Sequence, residues 1–172
     1  LAELSIDITQ GVTDPIPIAI VPFARAVPAD GGMDVAAVVQ RDLDSSGRFR
    51  SMQRAAMLAR PTSAAEVQIG DWRAAGNDYV AVGRVTAQGS ELLVESDLLN
   101  ALTGQRIASH RVIANAGTLR NAAHQVSDFI FEKIVGTRGA FATRIAYVSV
   151  DGRPPSQNFQ LIVADADGEN PK

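Results

Sequence analysis

The residues best able to do chemistry together lie in the stretch Ala122-Ala123-His124-Gln125-Val126-Ser127-Asp128. A base, a hydroxyl and a carboxylate in such proximity are the inventory of a nucleophilic triad. Side chains three and four apart share a helix face, so His124 and Asp128 can pair. The same regularity works against catalysis. A nucleophile needs its base within hydrogen-bond reach and an oxyanion site beside both, which three residues on one straight helix rarely supply. The expectation is therefore a structural or solvated His124–Asp128 pair. His110, on a strand, has no obvious partner and reads as a surface or rim residue.

Other candidates are weaker. Asp165-Ala166-Asp167-Gly168 opens like a calcium loop, but the later ligands of such a loop do not follow before Lys172, and Asp with Gly is ordinary turn chemistry. Gly83 with Gly89, and Gly136 with Gly139, lack the spacing and the strand-to-helix setting of a phosphate loop. Trp72 and Tyr79 could stack a ligand, although core packing is the expected use of both. No catalytic residue, cofactor or metal is expected. A chain with no convergent polar set reads as a binding or scaffolding module.

Bulk properties narrow the classes further. The 172 residues contain no cysteine, which removes disulfides, thiolate metal sites and a Cys nucleophile together. A formal charge of −3 with scattered arginines argues against a nucleic-acid surface. No apolar run approaches the length of a bilayer span. The chain opens Leu1-Ala2-Glu3, and the small Ala2 would suit the end of a removed secretory signal.

The elements that must hold these residues follow from periodicity. Residues 3–9 alternate, with Leu4, Ile6 and Ile8 on one side and Ser5, Asp7 and Thr9 on the other, as in a half-buried strand. That strand could edge the chain's own sheet or pair with the sheet of another protein. Residues 16–23 are nearly all apolar, as in a central strand covered on both faces. Asp30-Gly31-Gly32 leads into a helix with Val35, Val38, Val39 and Leu43 buried. A short extended piece at 48–50, a helical turn near 53–58, a capping box at Ser63–Glu66 and a short helix at 71–76 come next. Residues 79–87 return to strand, and 91–100 with 105–114 read as an antiparallel hairpin. A helix from Thr118, as N-cap, to Gly136, as left-handed C-cap, follows, with Ala122, Val126, Ile130 and Ile134 on its apolar stripe. Two further strands, 145–150 and 159–164, form a pair that needs a partner, because a lone hairpin is marginal in water. Interleaved helices and strands favour a mixed α/β sheet layered with helices.

In this order, several pieces resemble the TolB family of the Tol–Pal envelope system. They include Pro17-Ile18-Ala19-Ile20-Val21-Pro22-Phe23, Asp42-Leu43 with Ser46-Gly47-Arg48-Phe49, and Trp72 and Gly76 before Tyr79-Val80-Ala81-Val82-Gly83-Arg84-Val85. The strongest run is Ala123-His124, Ser127-Asp128, Glu132-Lys133, Gly136, Arg138-Gly139-Ala140-Phe141 and Thr143-Arg144-Ile145-Ala146-Tyr147-Val148, followed by the Asp165–Pro171 turn. The resemblance implies a partner-binding segment at 1–14, and an α/β domain at 15–136 similar in topology to tRNA-synthetase anticodon-binding domains. It further implies a hinge at 137–143 and the first strands of a truncated β-propeller at 144–172. It also implies a non-catalytic periplasmic scaffold that links TolA, contacted through Leu4, Ser5, Ile6, Asp7, Ile8 and Thr9, to Pal, contacted through the propeller. On that basis the N-terminal strand would be switchable, docked in the protein or offered to TolA. The rival reading is an accessory domain of a propeller-containing serine hydrolase of prolyl-oligopeptidase type. A further one is ligand binding in a groove of the α/β domain.

Overall fold

A computed structural model describes residues 14–25 and 32–172. The alternating segment at 3–9, and with it the expected TolA contacts, lies outside the described residues, as does the Asp30-Gly31 approach to the first helix.

The architecture is a six-stranded mixed sheet with helices on both faces, followed by a separate two-stranded sheet. Strand β1 (Ile16–Ile20) runs parallel to β3 (Phe49–Ser51) on one side and to β4 (Tyr79–Gln88) on the other. Helix α1 (Val35–Ser45) makes the crossover that parallel pairing of β1 and β3 requires. From β4 the chain turns back antiparallel into β5 (Glu91–Asn100) and again into β6 (Arg106–Ala114), which forms one edge of the sheet, with β3 at the other.

The apolar run at 16–23 is central, as expected. Ile18 and Ile20 face one core, and Ala19 and Val21 face another on the opposite side of the sheet. The regular strand ends earlier than the run, however. Pro22 has no N–H to give the ladder, so β1 stops, and β2 (Ala24–Arg25) resumes the pairing with β4 two residues later.

Helix α1 and the longer α3 (Leu119–Val135) cover one face together. The other face is covered by the short α2 (Ile69–Ala74) and its flanking turns, through Trp72 and Val67. Trp72 and Tyr79 join opposite cores and so do not stack. The expected capping box at Ser63 does not form, because the Ser63 side chain caps no backbone N–H, and only a single 3-10 turn follows. Glu66 accepts the Ser63 hydroxyl at 3.0 Å and also reaches back to the Thr62 N–H at 2.8 Å.

Helix α3 ends at Gly136 with φ of 84°, a conformation in which a Cβ would be strained. Its start differs from expectation. Thr118 does not cap the helix with its side chain; its hydroxyl accepts the Asn115 N–H at 2.9 Å, while Asn115 Oδ1 takes the Gly117 and Thr118 amides. The loop satisfies itself first, because Asn competes strongly for nearby backbone donors.

Strands β7 (Arg144–Asp151) and β8 (Asn158–Asp165) form the two-stranded sheet. Its large apolar side chains remain open, with Phe159 63% and Leu161 70% exposed.

One position in the sheet is sterically closed. A Cβ on Gly83 would meet the Phe23 ring and the backbone oxygen of Glu95, and the latter cannot swing aside. Gly83→Ala is expected to lower stability by about 1–3 kcal/mol, read as a reduced urea midpoint with unchanged m-value.

Candidate functional site

In the described structure Asp42 and Asp167, both distant in sequence, converge on His124 and Ser127. Helix α1 buries Val35, Val38, Val39, Asp42 and Leu43, so Asp42 occupies an apolar position of the stripe and is 3% exposed. A carboxylate there must be paired or pay a large desolvation cost. Helix α3 supplies the partners. Arg120, His124 and Ser127 recur at intervals of four and three, which sets them on one face.

The geometry is specific. Asp42 Oδ2 accepts the Ser127 hydroxyl at 2.6 Å and lies 2.8 Å from His124 Nδ1, which therefore carries a proton. The far edge of the imidazole, Nε2, faces Asp167 Oδ2 at 3.6 Å, too long for a hydrogen bond. Asp167 belongs to the turn after β8 and is held by Arg120, whose Nε donates at 3.1 Å and whose Nη2 also bonds it. Arg41 and Glu169 flank this group at 3.8–3.9 Å. Burial opposes charge on His124, but the Asp42 hydrogen bond and the attraction of Asp42 and Asp167 outweigh it and raise its pKa above the ordinary histidine value. Burial likewise works against ionised Asp167, yet the Arg120 hydrogen bond and the Glu169 N–H hold its carboxyl below the usual range.

This corrects the expected His124–Asp128 pair. The two residues share a helix, but the buried carboxylate of another helix takes the imidazole. Asp128 instead accepts the Phe141 N–H at 2.8 Å and the Ala142 N–H at 3.2 Å, fastening the segment before β7 to α3. Gly139 runs so close beneath Asp128 that a Cβ there would overlap it. His110 also differs from expectation. It is half-buried under α3, stacked on Phe129 with ring centroids 4.9 Å apart, and burial lowers its pKa. Beside it an open groove of about 590 Å³ runs along α3, past Gln125, Asp128, Glu132 and Lys133.

The Asp42, His124 and Ser127 side chains invite comparison with a triad, but the connections are wrong for one. The hydroxyl gives its proton to the carboxylate rather than to the imidazole, and Ser127 is wholly buried. Asp42, His124 and Asp167 also lie close enough to suggest a metal site. The two carboxylates address opposite nitrogens of the ring, so one ion cannot be ligated by both and by the imidazole. Arg120 already neutralises Asp167. The cluster is an ion-pair network that joins α1, α3 and the turn after β8.

Asp42→Ala would leave the buried imidazole without its acceptor and the Ser127 hydroxyl with only the Ala123 carbonyl at 3.2 Å, and a loss of about 3–5 kcal/mol is expected in denaturant unfolding. Asp128→Ala is expected to cost about 1–2 kcal/mol and to speed hydrogen exchange at the Phe141 and Ala142 amides.

Comparison with known proteins accords with this architecture. The family model of the TolB amino-terminal domain matches residues 4–107. Curated relatives named Tol-Pal system protein TolB from Thioalkalivibrio sulfidiphilus and Methylococcus capsulatus are 44% and 40% identical over 99% of this chain, and the match covers 40% of each relative. The crystal structure of TolB from Acinetobacter baumannii aligns with a TM-score of 0.79 at 33% identity, over 96% of this chain and 40% of that one. The chain thus spans about two-fifths of the length of these relatives, and the matches continue through α3 and the β7–β8 hairpin beyond the family model. By sequence, by fold and by the order of its elements, the chain belongs to the TolB family of the Tol–Pal system.

Proposed function

We propose that the chain is the partner-docking portion of a non-catalytic periplasmic TolB scaffold. Residues 1–13 contact TolA, and β7–β8 begin a propeller whose completed surface binds Pal. In this reading residues 137–143 form the joint between the two parts, and the assembly links inner- and outer-membrane components during envelope maintenance and division.

The observation that carries the reading is the character of the hairpin. Val148, Val150, Phe159 and Leu161 are large, apolar and substantially exposed on a two-stranded sheet that cannot bury them alone. A neighbouring blade packed face to face on this sheet would cover them. The polar network beneath Asp167 has the architecture of a joint rather than of a reaction centre, and the relatives' names attach the chain to the Tol–Pal system rather than to a hydrolase.

The N-terminal part of the reading rests on the alternation of Leu4, Ile6 and Ile8. Burying one such side chain is worth about 1.5–3 kcal/mol, so docking within the protein and docking on TolA can compete. Deleting residues 1–13 is expected to abolish TolA binding in a calorimetric titration while leaving the cooperative unfolding transition nearly unchanged. Unaltered TolA affinity would overturn the assignment. Ile6→Asp, which charges the apolar side of the strand, is expected to weaken TolA binding or to raise protease sensitivity.

A further inference from the structure

We propose that His124 is a proton-operated latch: in its charged form it ties the turn after β8 to helices α1 and α3, so that docking of the β7–β8 hairpin is linked to proton binding. The proposal adds to the scaffold reading and does not depend on the identity of any partner.

The argument begins with the two edges of one buried ring. Nδ1 is committed to Asp42, so the titrating position is Nε2. Nε2 has no hydrogen-bond partner among the described residues and faces Asp167 at 3.6 Å. A neutral ring sets a lone pair against a carboxylate oxygen. A charged ring sets an N–H against it, which turns repulsion into attraction. The groups facing the ring are Asp42 from α1, Ser127 and Arg120 from α3, and Asp167 from the turn, with Arg41 and Glu169 behind them. Only Asp167 and Glu169 belong to the turn, so the ring's charge acts directly on how firmly the turn is seated. Arg120 keeps Asp167 ionised throughout, which leaves His124 as the member of the set that changes charge near neutral pH.

Linkage fixes the sign. The folded-state pKa of His124 is raised, so its contribution is complete below the unfolded value near ~6.5 and is lost as pH rises through the folded value. By the same linkage, a docked Asp167 raises the proton affinity of His124 by the factor with which the proton tightens docking.

The test follows two probes by NMR in the full chain, the His124 ring resonances and hydrogen exchange of the Arg120 Nε–H, which donates to Asp167. In the native protein, Arg120 Nε–H protection, corrected for the intrinsic exchange rate, is expected to fall by about fivefold or more as His124 loses its proton. In His124→Gln the protection should no longer depend on pH over this range. Asp167→Asn, a near-isosteric change in the turn after β8 that alters no side chain of α1 or α3, should lower the His124 midpoint, by about 0.7 pH for a fivefold coupling. Equal protection above and below the His124 midpoint would overturn the latch. So would an unchanged midpoint in Asp167→Asn, even if that variant were less stable, because a merely structural role for Asp167 would not move the titration.

Discussion

A carboxylate at a core position of α1 is the constraint around which the rest is arranged. Asp42 sits among valines and a leucine at 3% exposure, where an unpaired charge would cost several kcal/mol. Satisfying it requires donors from a second element at fixed height and rotation. Ser127 and His124 provide them one helical turn apart, so the pairing specifies how α1 and α3 lie along each other more sharply than apolar packing between alanines and valines would. Interlocking aliphatic side chains tolerate small slides, whereas hydrogen bonds of 2.6 and 2.8 Å do not.

Satisfying Asp42 creates a second demand. The imidazole that answers it has another edge, and that edge is buried too. Asp167 approaches it from the turn after β8, bringing its own need for a cation, which Arg120 meets. Charges therefore alternate along a chain from α1 to α3 to the hairpin turn, each member placed by the one before. Such a network need not add net stability compared with an apolar equivalent, and what it supplies here is a defined geometry between elements far apart in sequence.

Much of the fold was legible in local pattern. The both-faces-buried β1, the β5–β6 hairpin and the Gly136 terminus of α3 follow from apolar runs, alternation and the left-handed preference of glycine. The ion-pair network was not legible in the same way, because its members lie at 42, 124 and 167 and only the fold brings them together. One signal was nevertheless present. Asp42 falls three residues after Val39 and seven after Val35, inside the apolar stripe of α1, and an acidic residue in such a stripe announces a buried partner. Likewise, His124 and Ser127 share a face of α3 with Arg120, whereas the local His124–Asp128 spacing favoured a pairing that a longer-range carboxylate displaced. The early end of β1 follows from Pro22, and the self-contained loop before α3 from Asn115; both are local effects that override the broader apolar or capping pattern.

Helix α3 emerges as the member that holds the hairpin at both of its ends. Toward its start, Arg120 and His124 meet Asp167, just after β8. One to two turns further along, Asp128 takes the amides of Phe141 and Ala142, just before β7. Both attachments lie at the base of the hairpin, where Phe141 adds an apolar contact by packing edge-on against Phe131 of α3; the exposed apolar side chains further along the hairpin take no part in fastening it. Apolar contact alone would hold the base of the hairpin with a strength indifferent to proton concentration. The charged contacts of Asp167 with Arg120 and His124 add a component whose strength depends on the ionisation of the groups that form it.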